Sequence, residues 1–139
     1  MVLSDTGFWY AFFNPKDKFH PHSLAVMKRL DEGLITTWPV ITETCYLLGK
    51  ALGSKSQLRF LQALDASYVE VYQIYPKHLP QIQRLMHKYV DLPMDLADAS
   101  LVILAEELGH GRILSTDQRD FKTYRWKNHK PFQNLLLPE

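Results

Sequence analysis

The chain has 139 residues, 46% of them hydrophobic, which is enough for one folded unit with a sizeable core and too few for two ordinary domains. Sixteen lysines and arginines against fifteen aspartates and glutamates leave a net charge of +1, which excludes a uniformly basic nucleic-acid coat and leaves such binding to a local patch. A single cysteine, Cys45, excludes an intrachain disulfide and a thiolate zinc site. With no membrane-length apolar run and no basic leader, the expectation is a soluble, cytoplasmic protein forming one domain over residues 1–139.

Val2 and Leu3 form a short apolar run that breaks at Ser4, Asp5, Thr6 and Gly7, as a buried strand does when it enters a loop. An aromatic run over residues 8–13 and the turn-like Asn14-Pro15 follow. Residues 22–32 then carry helical spacing through Leu24, Met27 and Leu30, stopping at Gly33. Residues 34–37 read as a second strand, and Pro39 suits the first turn of a helix running to about Gly53. In that helix Ile41, Cys45, Leu48 and Leu52 form an apolar stripe beside Glu43.

Residues 56–64 suit a helix, 68–74 a strand rich in Val and Tyr, and 78–89 a further helix with boundaries blurred by Pro76 and Pro80. The clearest helix spans 95–108, with Ala97, Leu101, Leu104 and Leu108 on one stripe, two acids at its start and a stop at Gly109. A strand over 112–115 ends at Thr116-Asp117, and 134–137 offers a last short strand. This alternation implies an α/β fold with a parallel sheet, whose ligands bind at the carboxyl ends of the strands.

In that architecture Asp5 and Asp117 follow strand ends, while Glu43 and Asp98 lie near the starts of helices at the same edge, so all four can face one crevice. An all-oxygen cluster without His or Cys suits Mg²⁺ or Mn²⁺ and phosphate-bearing substrates. The natural reaction is phosphodiester cleavage by metal-activated water. Each acid taken singly is most simply a cap or turn residue. Asp95 is the strongest candidate for a pure helix cap, three residues before the better inner candidate Asp98, and Asp120 suits pairing with a nearby cation. Joint placement alone outweighs those readings.

Residues 119–130 interleave Arg119, Lys122, Arg125, Lys127 and Lys130 with Phe121, Tyr124, Trp126 and His129. Cations can grip phosphates while rings stack on unpaired bases, which suits single-stranded nucleic acid; a solvated amphipathic helix explains the same pattern equally well. The six histidines show no HExxH spacing and no serine lies in a GxSxG elbow, so zincin and serine-hydrolase chemistry are excluded.

Four motifs in order carry a family resemblance: Asp5-Thr6-Gly7 after the first strand, Thr42-Glu43, Asp98-Ala99-Ser100-Leu101, and Ser115-Thr116-Asp117 with Asp120-Phe121. Together, over almost the full chain, they resemble the PIN-domain ribonucleases, especially the VapC-like toxins of type II toxin-antitoxin pairs. Ser115 stands where the family usually has Thr, keeping the hydroxyl, and Gly7 where Asn or Ser is frequent. The resemblance implies a three-layer α/β/α fold with about five parallel strands in the order 3-2-1-4-5 and one or two Mg²⁺ or Mn²⁺ ions. It also implies endonucleolytic RNA cleavage, dimerisation and a cognate antitoxin over the acidic groove. On that basis Asp5, Glu43, Asp98 and Asp117 are the expected metal-holding catalytic set, Thr6, Asp95, Ser115 and Asp120 support it, and Arg119, Lys122, Arg125 and Lys127 contact RNA. Two alternatives stay open: a phosphoryl-accepting receiver-like or phosphatase-like domain, and a non-catalytic RNA- or partner-binding module.

Overall fold

Val2, Leu3, Ile113 and Leu114 are fully buried, as the inner strands of a sheet covered on both faces must be. The computed structural model describes residues 1–67 and 69–138. Its main sheet holds β1 (Val2–Ser4), β2 (Leu34–Thr37), β3 (Glu70–Tyr72), β4 (Arg112–Leu114) and β7 (Gln133–Asn134). Their order is β3-β2-β1-β4-β7 and every pairing is parallel, matching the expected order with the last strand at the expected edge. Register runs through Leu3, which sits opposite Ile35 on one side and Ile113 on the other. Of the strand expected over 68–74, Tyr68 lies outside the described residues.

The connecting helices are α1 (Thr6–Phe13), α2 (His20–Arg29), α3 (Trp38–Leu52), α4 (Ser54–Ala66), α5 (Leu79–Lys88), α6 (Leu96–Leu108) and α7 (Gln118–Thr123). Helix α6 is buried on nearly every side from Ala97 to Ala105, because it packs against β1 and β2 as well as α3 and α5. Asp95 caps its start and Gly109, at φ 78°, ends it in the left-handed conformation that glycine adopts without penalty.

Three elements differ from the sequence reading. The aromatic run is helix α1, in which Phe8 faces Phe12 and Trp9 faces Phe13 one turn apart. Trp9 and Phe13 also meet Phe60 of α4, so this run builds core, whereas Trp38 stays 49% exposed. Helix α2 ends at Arg29 and not at residue 32, since Leu30 turns extended and frees Glu32 to form a two-pronged ion pair with Arg112. Finally, the segment expected as either an RNA-stacking stretch or one amphipathic helix splits into α7 and a separate antiparallel hairpin. That hairpin pairs β5 (Arg125–Trp126) with β6 (Lys130–Pro131) through a turn with Lys127 and Asn128 at positive φ.

Candidate active site

At the carboxyl edge of the sheet, two turns carry the first acids. Asp5 follows β1 and caps α1, its Oδ1 accepting the Thr6 amide at 2.7 Å; Asp117 follows β4 and caps α7, its Oδ1 accepting the Asp120 amide at 3.3 Å. The turns meet at Gly7, where an added Cβ would stand 1.8 Å from Thr116 Oγ1. That contact accounts for glycine at a position where the resembled family favours Asn or Ser. The Ser115 hydroxyl ties the turns together, donating to Asp5 Oδ2 at 2.8 Å while accepting from the Asp117 amide at 2.9 Å.

Helices α3 and α6 bring the other acids. Asp95 Oδ1 accepts the Asp98 amide at 2.8 Å, the capping role expected of it, yet Asp95 is not only a cap, because its carboxyl also stands against Glu43. Asp98 points inward, and Tyr124 Oη donates to its Oδ2 at 2.9 Å. One cavity of about 270 Å³ is lined by Asp5, Glu43, Asp95, Asp98, Asp117 and Asp120 together with Thr6, Gly7, Tyr10, Leu47, Pro93 and Thr116. Six carboxylates share it with no basic side chain in its lining.

Electrostatics follow from that crowding. Burial, then the charges of Glu43 and Asp117, push the Asp5 carboxyl up to about 7 against the bonds from Ser115 and Thr6. Burial, then Asp5 and Asp95, push Asp98 up to about 8. Burial and the neighbouring Asp120 carboxyl raise Asp117 to about 6, and burial followed by Asp95 raises Glu43. Tyr124 is driven well above its ordinary value by burial and by Asp98, so its hydroxyl keeps its proton and remains a donor. Near neutral pH Asp98, and Asp5 in part, therefore hold a proton that a bound cation would displace.

The donor set fits a hard divalent cation. All candidate ligands are oxygens, and the Thr6 hydroxyl, buried in the cavity wall, stands against the Glu43 carboxyl and holds its value down against burial. Among the described residues no three acidic, histidine or cysteine side chains are drawn tightly enough for a ready-made metal cage. Loose carboxylates suit an ion that keeps several of its waters, as Mg²⁺ does.

The expected RNA contacts divide. Only Arg119 reaches the acids, its exposed guanidinium pairing with Asp120 Oδ1 at 3.2 Å, which is the pairing expected for Asp120. Arg125 folds its guanidinium onto the carbonyls of Lys122, Thr123 and Tyr124, closing the end of α7. Lys122 is exposed near Phe121 and Phe132, and Lys127 lies against α5 and α6. Of the proposed stacking rings, Phe121, Tyr124 and Trp126 are buried and unavailable to bases, Trp126 in the hairpin strand that packs on α6, Tyr124 against Tyr89 and Phe121 against Phe132, whereas His129 in the hairpin turn is exposed. Two residues not expected in this role serve the site instead: Tyr124, read from the sequence as a stacking ring, beneath Asp98, and Asn134 of β7. The Asn134 side chain donates to the Ser115 carbonyl at 2.8 Å and accepts the Ser115 amide at 3.3 Å.

The PIN domain family matches residues 2–127. Ribonuclease VapC26 of Mycobacterium tuberculosis is 28% identical over 127 residues, covering 89% of this chain and 92% of its own length. Among solved structures, M. tuberculosis VapC20, described as a sarcin-ricin loop cleaving toxin, superposes with a TM-score of 0.78 at 18% identity, covering 84% of this chain and 90% of the other. At that identity the likeness speaks for the fold.

Proposed function

Because the chain belongs to the PIN-domain family, we propose that it is a divalent-metal-dependent endoribonuclease, the toxin of a toxin-antitoxin pair. The observation that carries this reading is the gathering of six carboxylates in one cavity at the carboxyl edge of a parallel sheet. The relative named as a ribonuclease supports RNA as substrate. Among the described residues no helix is long and apolar enough to cross a membrane.

Asp5, Glu43, Asp98 and Asp117 would hold one or two Mg²⁺ or Mn²⁺ ions, directly or through water, with Thr6 Oγ1 and Asp95 at the margin. When bound, such an ion supplies charge neutralisation at the scissile phosphate and acidifies water for attack. The remaining work belongs to the chain. Ser115 fixes Asp5 relative to Asp117, Tyr124 fixes the inward rotamer of Asp98, and Asn134 fixes Ser115. The Asp120 carboxyl stands against that of Asp117 and is turned outward to Arg119. A homodimer, and a cognate antitoxin that covers the acidic cavity, complete the proposal, with the cytoplasm as its place of action. Purified protein is expected to cut RNA in Mn²⁺ and not in EDTA; undiminished cutting in EDTA, or none in either metal with folded protein, overturns the reading.

A further inference from the structure

A phosphate polymer meets a difficulty at this cavity, since six carboxylates repel it and, among the described residues, Arg119 is the cation paired with one of them. The grip must come from elsewhere on the surface. On α5, Gln81, Arg84 and Lys88 recur at spacings of three and four and so share one face. That face borders a cavity of about 240 Å³ closed on the other side by Lys127 and Asn128 of the hairpin turn, with Leu85 and Glu106 completing its lining. Among the described residues none of its three cations has a carboxylate ion-pair partner. Lys88 Nζ sits 5.3 Å from the ring of Tyr89 and Lys127 Nζ 5.8 Å from that of Trp126. The one acid present is engaged: Glu106 Oε1 accepts from Gln81 Nε2 at 2.7 Å and Oε2 from the Lys127 amide at 2.9 Å.

The basin is fixed relative to the acids. Tyr124, which donates to Asp98, meets Tyr89 edge to face at 5.0 Å, and Tyr89 Oη accepts the Arg125 amide at 3.0 Å where the hairpin begins. Along α6, Asp98 and Glu106 lie about 12 Å apart at 1.5 Å per residue, a short step for an extended nucleic-acid strand. Among the described residues no exposed apolar side chain lies in the basin to anchor a protein partner. We propose that Arg84, Lys88 and Lys127 form a second site, separate from the acidic cavity, that holds backbone phosphates of RNA whose scissile bond lies at the acids. The choice of RNA as the polyanion rests on the ribonuclease reading above.

The test is fluorescence anisotropy of a labelled single-stranded RNA of about a dozen nucleotides with the full chain in EDTA. Cleavage is then off and the acids only repel. For Arg84→Ala/Lys88→Ala/Lys127→Ala, affinity is expected to fall at least about tenfold and the slope of log affinity against log KCl to flatten by about 2, at about 0.7 per lost phosphate contact. The charge-preserving Arg84→Lys/Lys88→Arg is expected to keep most of the binding, and unchanged thermal melting would exclude misfolding of either variant. Wild-type protein that does not bind the RNA, or a triple variant with unaltered affinity and salt slope, overturns the inference. So does polyglutamate competing as well as RNA, since the basin would then serve an acidic protein segment. The ribonuclease reading fails on a different readout, the absence of cleavage in Mn²⁺ by protein that binds RNA.

Discussion

The two ends of the same sheet treat carboxylates in opposite ways. At the amino end, Glu32 meets the Arg112 guanidinium in a two-pronged pair and the amino group of Met1 at 3.3 Å, and these partners hold its carboxyl down at about 2. At the carboxyl end, Asp5, Asp98 and Asp117 face one another and are driven up to about 7, 8 and 6. One end is a finished ion pair; the other is a cluster of like charges. A fold that neutralises an acid at one edge and gathers six at the other places the proposed cation site at the crowded edge.

The largest expected effect comes from dismantling the crowded end. Asp5→Asn and Asp98→Asn should each lower RNA cleavage in Mn²⁺ by about a hundredfold or more, read as initial rates on a fixed RNA, while both proteins stay folded. A smaller loss is expected when the acids remain but their orienting bonds go. Tyr124→Phe and Ser115→Ala should each lower Mn²⁺ affinity or cleavage by about tenfold, with calorimetric titration separating the two.

The pH dependence of stability then separates the two ends without any substrate. A carboxyl raised in the folded state binds its proton more tightly there than when unfolded, so the crowded end weakens the metal-free protein as pH climbs from the ordinary carboxylate range through 7 and 8. The midpoint of thermal unfolding in EDTA should be lower at pH 8 than at pH 5 by on the order of 5 °C, and Mn²⁺ should restore it at pH 8. Glu32 has the reverse sign, its stabilisation being present above its unfolded value and lost as pH falls toward about 2. Glu32→Gln should therefore lower the melting midpoint slightly near neutrality, a difference that closes in strong acid, and leave cleavage untouched.

How much of this was legible in the sequence follows from the range of each interaction. Asp5, Glu43, Asp98 and Asp117 could be placed because strand ends and helix starts are local, and parallel order fixes which edge they share. The cap at Asp95 was equally local. Its contact with Glu43 was not, nor was the reach of Tyr124 to Asp98 across 26 residues or of Asn134 to Ser115 across 19. The segment after Asp117 misled for the same reason, since alternating cations and rings describe an RNA platform and a hairpin folded onto a helix equally well. Only tertiary packing shows that Phe121, Tyr124 and Trp126 point inward. In α1 the signal was present but covered, because aromatic residues on all sides hide the four-residue spacing that pairs Phe8 with Phe12 and Trp9 with Phe13.

Calorimetric titration of Mn²⁺ into the protein at pH 7, repeated in buffers of different ionisation heat, tests most directly whether the crowded end exists to receive a cation. Wild-type protein should bind the ion and release about one proton or more per ion, as carboxyls held near 7 and 8 give up theirs, and Asp5→Asn should bind weakly. An absence of binding heat, or binding that releases no proton and is indifferent to Asp5→Asn, would contradict it.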